Sequence, residues 1–259
     1  GIRALLYKVA FYGDVAKNSE DEGERAKAMG LVDILVPICK AYGSDKGFLV
    51  TEQAIQTYGG YGYISEYPVE QYMRDVKITS LYEGTNGIQA LDLMGRKLGT
   101  KGGMLFMQFM QDLAAFVQGN KGHETLGPLV AELEKAQMKL AEAVMGFPAT
   151  MKAGGLEAVT PILNATPFLE AMGHVCVSWV LQDMAILAQS KLDALLEQKG
   201  IDASDKKAYR AFLEDNDEAK FFYGKVQSAA WFTHNILPHA HAILGTIKSK
   251  DVSAMKVIF

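Results

Sequence analysis

QTYGGYGYISEYPVEQYMRDVKITSLYEGTNGIQALDLMGRKL, from Gln56 to Leu98, carries the punctuation that decides the fold. Gly59-Gly60 reads as a helix stop, because glycine enters the left-handed backbone region without steric cost. Pro68 restarts the chain, since a first helical turn has no use for the N–H that proline lacks. The short helix that follows should reach about Lys77. Glu83-Gly84-Thr85-Asn86 is a second break, and Thr85 or Asn86 can cap a helix carrying Ile88, Leu91, Leu93, Met94 and Leu98. Glu83 stands between Tyr82 and Gly84, so a turn aims its carboxylate. Arg74-Asp75 reads as a local ion pair.

Upstream, Ile2, Leu5, Leu6, Val9 and Ala16 recur at helical steps and predict an amphipathic helix over residues 2–18. An acidic break, residues 18–24, leads to a helix from about Glu24 to Ala41. Its buried face is Leu31, Ile34, Leu35 and Ile38, and Pro37 should kink it. Tyr42-Gly43-Ser44-Asp45-Lys46-Gly47 reads as a turn, with Ser44 or Asp45 as cap of a third helix ending at Tyr58.

Downstream, the small and polar Gly99-Thr100-Lys101-Gly102-Gly103 marks a domain boundary, dividing the chain into 1–98 and 99–259. Four more helices are expected near Met104–Gln118, Thr125–Met145, Pro161–Gln198 and Ser204–Ile247. The third is apolar on most sides, as a helix buried among others must be. No stretch reads as a strand. The fold class is all-α: one helical bundle followed by a second.

With 259 residues and 49% hydrophobic side chains, burial of a substantial core is assured. The net charge of −4 and the absence of a basic stripe exclude a nucleic-acid partner. No uninterrupted apolar run has the roughly 18–20 residues of a transmembrane segment. Cys39 and Cys176 each lie in an apolar run and read as core thiols of a cytoplasmic, bacterial-type or other reducing compartment. His234, His239 and His241 are spaced wrongly for one metal: on a helix the outer two lie about 10 Å apart, and no metal site is expected. Met104–Met110 reads as apolar core at the join of the two bundles. The chain opens at Gly1, already in helical register, and is expected to be a piece of a longer protein.

Gln56, Gly59-Gly60-Tyr61-Gly62-Tyr63, Glu66-Tyr67-Pro68, Arg74-Asp75, Tyr82-Glu83-Gly84-Thr85-Asn86 and Ile88-Gln89 together resemble the C-terminal helical domain of the acyl-CoA dehydrogenase flavoenzymes. The likeness spans residues 1–98, a bundle then lacking its first part. The remainder resembles the extra helical domain of the long subfamily typified by the 3-methylmercaptopropionyl-CoA dehydrogenases. The resemblance implies FAD as cofactor and an acyl-CoA substrate. It also implies an electron-transfer flavoprotein as acceptor and a homo-oligomer, dimer or tetramer. Glu83 would be the base that takes the α-proton, its N–H helping to hold the thioester carbonyl. Gln56, Gly59 and Gly60 would approach the FAD pyrophosphate of a neighbouring subunit. Thr85, assisted by Asn86, would meet the FAD of its own subunit, and Tyr82 and Gly84 would line the acyl pocket. Arg74 and Asp75 would be structural.

The chemistry agrees with that assignment. An α-proton beside a thioester is weakly acidic, so its removal needs a positioned carboxylate and donors for the enolate oxygen. On this reading the polypeptide alone carries the base without the flavin-ring site and is inactive. The alternative is a non-catalytic helical module kept for subunit assembly.

Overall fold

The computed structural model describes residues 1–258 and contains no strand among them. Two long helices organise it. α1 (Ile2–Asn18) lies along α2 (Glu22–Tyr58), which is 37 residues long and so spans roughly 55 Å at 1.5 Å per residue. Asp21 caps α2 by accepting from the Glu24 N–H at 2.9 Å. After α3 (Gly60–Tyr63) and α4 (Val69–Lys77), α5 (Asn86–Asp92) runs on into a π turn, Leu93–Lys97. α6 (Met104–Asn120), α7 (Gly127–Ala153) and the short α8 (Thr160–Leu163) lead to α9 (Ala165–Lys199), the second long helix. α10 (Lys206–Asp215), α11 (Asp217–Asn235) and α12 (Leu237–Lys248) complete the bundle, α11 and α12 both packing on α9.

The expected turn at 42–47 does not exist. α2 continues through Pro37 and through residues 42–47 to Gly59, whose φ of 61° ends it. The two glycines that suggested a turn permit close approach instead. A Cβ at Gly43 would lie 3.5 Å from Ile2 of α1, and one at Gly47 would lie 3.3 Å from Val76 of α4. Ser44 is not a cap: its hydroxyl donates back to the Lys40 carbonyl at 2.8 Å inside the helix.

The last expected helix is three. Asn216 breaks the run and caps α11 by accepting from the Ala219 N–H at 2.9 Å, and Pro238 sits in the first turn of α12. Asp205 caps α10 in the same manner. α7 extends beyond the expected Met145 to Ala153, with Pro148 inside it. α9 begins after Asn164, with Pro167 in its first turn.

At the segment 99–103 the backbone turns through three consecutive left-handed residues, Lys101, Gly102 and Gly103. Side chains from both sides of it meet in one apolar cluster. Ile34, Leu35 and Ile38 of α2 share it with Leu93, Phe106, Phe109, Phe168, Met172 and Leu244. Leu105, Phe106 and Phe109 are buried in it, whereas Met104 and Met107 face outward. α9 is apolar and long enough to cross a bilayer by length and composition, yet 78% of its most apolar window is buried against other helices. That burial is what a central core helix shows.

Gly173 of α9 lies under the ring of Tyr42 of α2, and a Cβ there would clash with that ring. Gly173→Ala should therefore force the two helices apart and destabilise the protein by about 1–3 kcal/mol, the usual cost of overpacking a core. A lowered thermal midpoint checks this; an unchanged one would show that the Tyr42 ring can move aside freely.

Candidate active site

The second break of the sequence forms a loop with unusual backbone. α4 passes through a 3-10 turn, Ile78–Ser80, and then Glu83 adopts φ 54° and Gly84 φ 85°. A left-handed residue other than glycine costs roughly 1–2 kcal/mol and survives only where its surroundings fix it. Three sets of bonds fix this one. Thr85 caps α5, its hydroxyl oxygen accepting from the Ile88 N–H at 3.3 Å. Lys40 Nζ donates to the Gly84 carbonyl at 2.6 Å and to Asn86 Oδ1 at 2.8 Å. Asn86 Nδ2 lies 2.8 Å from Ser44 Oγ, 2.7 Å from Asp45 Oδ1 and 3.2 Å from the Ala41 carbonyl. The loop is thus tied at its far end to one turn of α2.

Glu83 itself is exposed, and neither its carboxylate nor its N–H bonds to any described residue. Around it, Ile78, Leu81, Tyr82, Ile88 and Leu91 present exposed apolar surface.

The structure brings Tyr82, Glu83, Gly84 and Thr85 together on this loop. Thr85 keeps its own hydroxyl hydrogen free to donate outward while it caps. Asn86 is buried beneath the loop, and its amide is engaged by α2, so it supports the loop. Arg74 pairs with Glu70 one turn earlier, at 2.8 Å, and not with Asp75.

Gln56, Gly59 and Gly60 form a separate group at the end of α2. Gln56 is eleven residues beyond Asp45, roughly 16 Å along the helix axis. Within one chain they are a different surface from the Glu83 loop. Gln56 is exposed, and nothing lies within 4 Å of where a Cβ would stand at Gly59 or Gly60. An exposed amide beside bare backbone fits a phosphate-bearing group.

Lys40, Ser44 and Asp45 are site residues that the sequence did not disclose. They lie more than forty positions from the residues they hold, and Ser44 and Asp45 fall inside what reads locally as a turn.

The next residues of the same α2 segment bind the other side. The Tyr42 hydroxyl and His174 Nδ1 are 2.9 Å apart, and Lys46 Nζ donates to Glu170 at 2.5 Å. A cleft of about 270 Å³ opens here between α2, α5 and α9. His174 is buried, and burial, reinforced by Lys46, brings its pKa down to about 4 despite the nearby Glu170. Burial also holds both thiols protonated, Cys39 being pushed up to about 12. No group of three His, Cys, Asp or Glu side chains could hold a metal ion among the described residues.

Comparison with known proteins gives the chain its family. A sequence model described as "Acyl-CoA dehydrogenase, C-terminal domain" matches residues 2–98, and one described as "Acetyl-CoA dehydrogenase C-terminal like" matches residues 109–257. The chain belongs to the acyl-CoA dehydrogenase C-terminal family. It is 33% identical, over 98% of its length, to a butyryl-CoA dehydrogenase of Syntrophomonas wolfei, of which the alignment covers 38%. It is 31% identical, over 84% of its length, to the 3-methylmercaptopropionyl-CoA dehydrogenase of Ruegeria pomeroyi, covering 37% of that protein. It therefore spans somewhat under two fifths of the length of these relatives. Among solved structures it resembles Caenorhabditis elegans ACDH-11, crystallised with C11-CoA. The TM-score is 0.55 at 17% identity, over 70% of this chain and 30% of that one. That likeness is one of fold.

The His174 shift has a consequence for stability. An unfolded histidine titrates near 6.5, so between about pH 6.5 and pH 4 the unfolded chain binds more protons than the folded one. His174 should therefore cost nothing above pH 6.5. It should destabilise the fold progressively as the pH falls towards 4, by roughly 3 kcal/mol in all. Denaturant titrations at a series of pH values should show a flatter acid limb for His174→Gln than for the wild type. Parallel curves would overturn the assignment.

Proposed function

We propose that this chain supplies the base-bearing helices of a FAD-dependent acyl-CoA dehydrogenase, with Glu83 removing the α-proton of an acyl-CoA thioester. The single observation that carries the reading is the Glu83 backbone. An exposed carboxylate and an N–H, neither with a partner among the described residues, belong to a left-handed residue on a loop anchored to a long helix. A loop fixed at that cost of strain suits a group that must meet a substrate in one orientation.

In the proposed reaction the α C–H bond breaks and its proton passes to the Glu83 carboxylate. The electron pair forms the α,β double bond as the β-hydrogen departs with its own pair. FAD, when bound, supplies the acceptor for that hydride. The Glu83 N–H would stabilise charge on the thioester oxygen as the proton leaves. Tyr82 and the neighbouring exposed apolar side chains would line the acyl end, and exclusion of water there would strengthen the base. Thr85 would donate to FAD of its own subunit, and Gln56 with Gly59-Gly60 would meet FAD of another. The separation of the two groups on this chain supports a homo-oligomer, dimer or tetramer.

Further parts of the reading follow the family: an electron-transfer flavoprotein as acceptor, a reducing compartment such as a bacterial cytoplasm, and two units divided at residues 98–99. Straight-chain acyl-CoA and 3-methylmercaptopropionyl-CoA are the substrates to compare.

Glu83→Gln in the full-length protein tests the reading. Flavin bleaching by acyl-CoA should slow by about 10²–10⁴-fold, the usual contribution of a positioned base, with FAD still bound. Bleaching at the wild-type rate would remove Glu83 from the mechanism.

A further inference from the structure

We propose that Lys40 is the positioning residue of the Glu83 loop: its ammonium, bonded to the Gly84 carbonyl and to Asn86 Oδ1, holds the loop in its left-handed form. The placing of Glu83 for chemistry rests on the function proposed above; the holding of the loop does not.

Three observations carry this. First, both direct bonds of Lys40 go to the segment just after Glu83, at 2.6 and 2.8 Å. Neither goes to a carboxylate, and no acidic group lies within salt-bridge range of Lys40 among the described residues. Its full charge is therefore directed at two neutral oxygens, and charge-assisted hydrogen bonds of this kind are about twice as strong as neutral ones.

Second, Glu83 and Gly84 are consecutive left-handed residues, and Glu83 has no partner of its own among the described residues. The strain at Glu83 must be balanced by neighbours. Thr85 fixes the start of α5 but not the direction of the Gly84 carbonyl; Lys40 fixes that direction. Third, Asn86 is oriented from both ends of its amide. Lys40 takes the oxygen, while Ser44, Asp45 and the Ala41 carbonyl take the nitrogen. Losing Lys40 leaves the amide oxygen with only the longer contact to Ser44, 3.2 Å. Lys40 lies on α2, which is packed into the core through Ile34, Leu35 and Ile38. The loop is thereby referred to a helix anchored in the core.

The test uses the full-length, FAD-loaded protein with Lys40→Met and Lys40→Arg, read by hydrogen exchange. In Lys40→Met, amides over residues 81–89 should exchange about tenfold faster or more, as for loss of a charged hydrogen bond. Core amides over 171–177 should not change. Lys40→Arg, which keeps charge and donors, should restore most of the protection. With acyl-CoA, Lys40→Met should lower kcat while KM and FAD content stay near wild type, as expected when a reacting group is misplaced and binding is intact. The exchange effect should persist in the Glu83→Gln background, where base chemistry is absent. Unchanged loop exchange in Lys40→Met would overturn the proposal. Faster exchange through both loop and core would overturn it too, since Lys40 would then support the whole fold. If Lys40→Met loosens the loop but Glu83→Gln is fully active, Lys40 still holds the loop and the assignment of Glu83 as base fails.

Discussion

One stretch of helix, from Lys40 to Lys46, joins everything else in this chain. Its side chains leave α2 in two directions. Lys40, Ser44 and Asp45 reach the loop that bears Glu83 and hold it through Gly84 and Asn86. Tyr42 and Lys46 reach α9 through His174 and Glu170. Helical geometry makes this possible, because residues three and four apart share a face while intermediate ones point elsewhere. A loop in this position could not serve both sides, since its own backbone groups would need partners.

That arrangement separates two demands that an active site makes. The residue that meets a substrate must be exposed, and the backbone that carries it must be rigid. Glu83 is exposed and unbonded, on a conformation that carries strain. The compensating bonds sit behind it, on a helix whose opposite face is apolar core. The rigidity is therefore supplied by groups that never touch the reacting atoms. The exposed Ile78, Leu81, Tyr82, Ile88 and Leu91 around the loop are consistent with a chain that spans under two fifths of its relatives. Apolar side chains gathered at one edge have the character of a surface that another part of a protein covers.

Local signals were strongest where the backbone does something only certain residues permit. Gly59 at positive φ, Thr85 as an N-cap and Pro68 before a helix stand where the sequence placed them. The same alphabet misled at residues 42–47, where Gly43 and Gly47 allow neighbouring helices to approach and Ser44 bonds within its own helix. It also misled between Ser204 and Ile247, where Asn216 and Pro238 mark the starts of separate helices within what reads as one.

The sequence alone determined that the protein is helical, where two glycine-marked turns fall, and that a glutamate stands in one of them. These are properties of neighbouring residues, set by backbone sterics, capping and the helical repeat of apolar side chains. Only the tertiary structure decided that Asn86 faces inward, that Lys40 holds the loop, and that α2 continues across its glycines. Each of those outcomes depends on atoms that meet across forty or more positions, or across two helices. No local propensity encodes such a meeting, because the energy of burying and bonding a polar group is fixed by whatever side chain arrives from elsewhere in the chain.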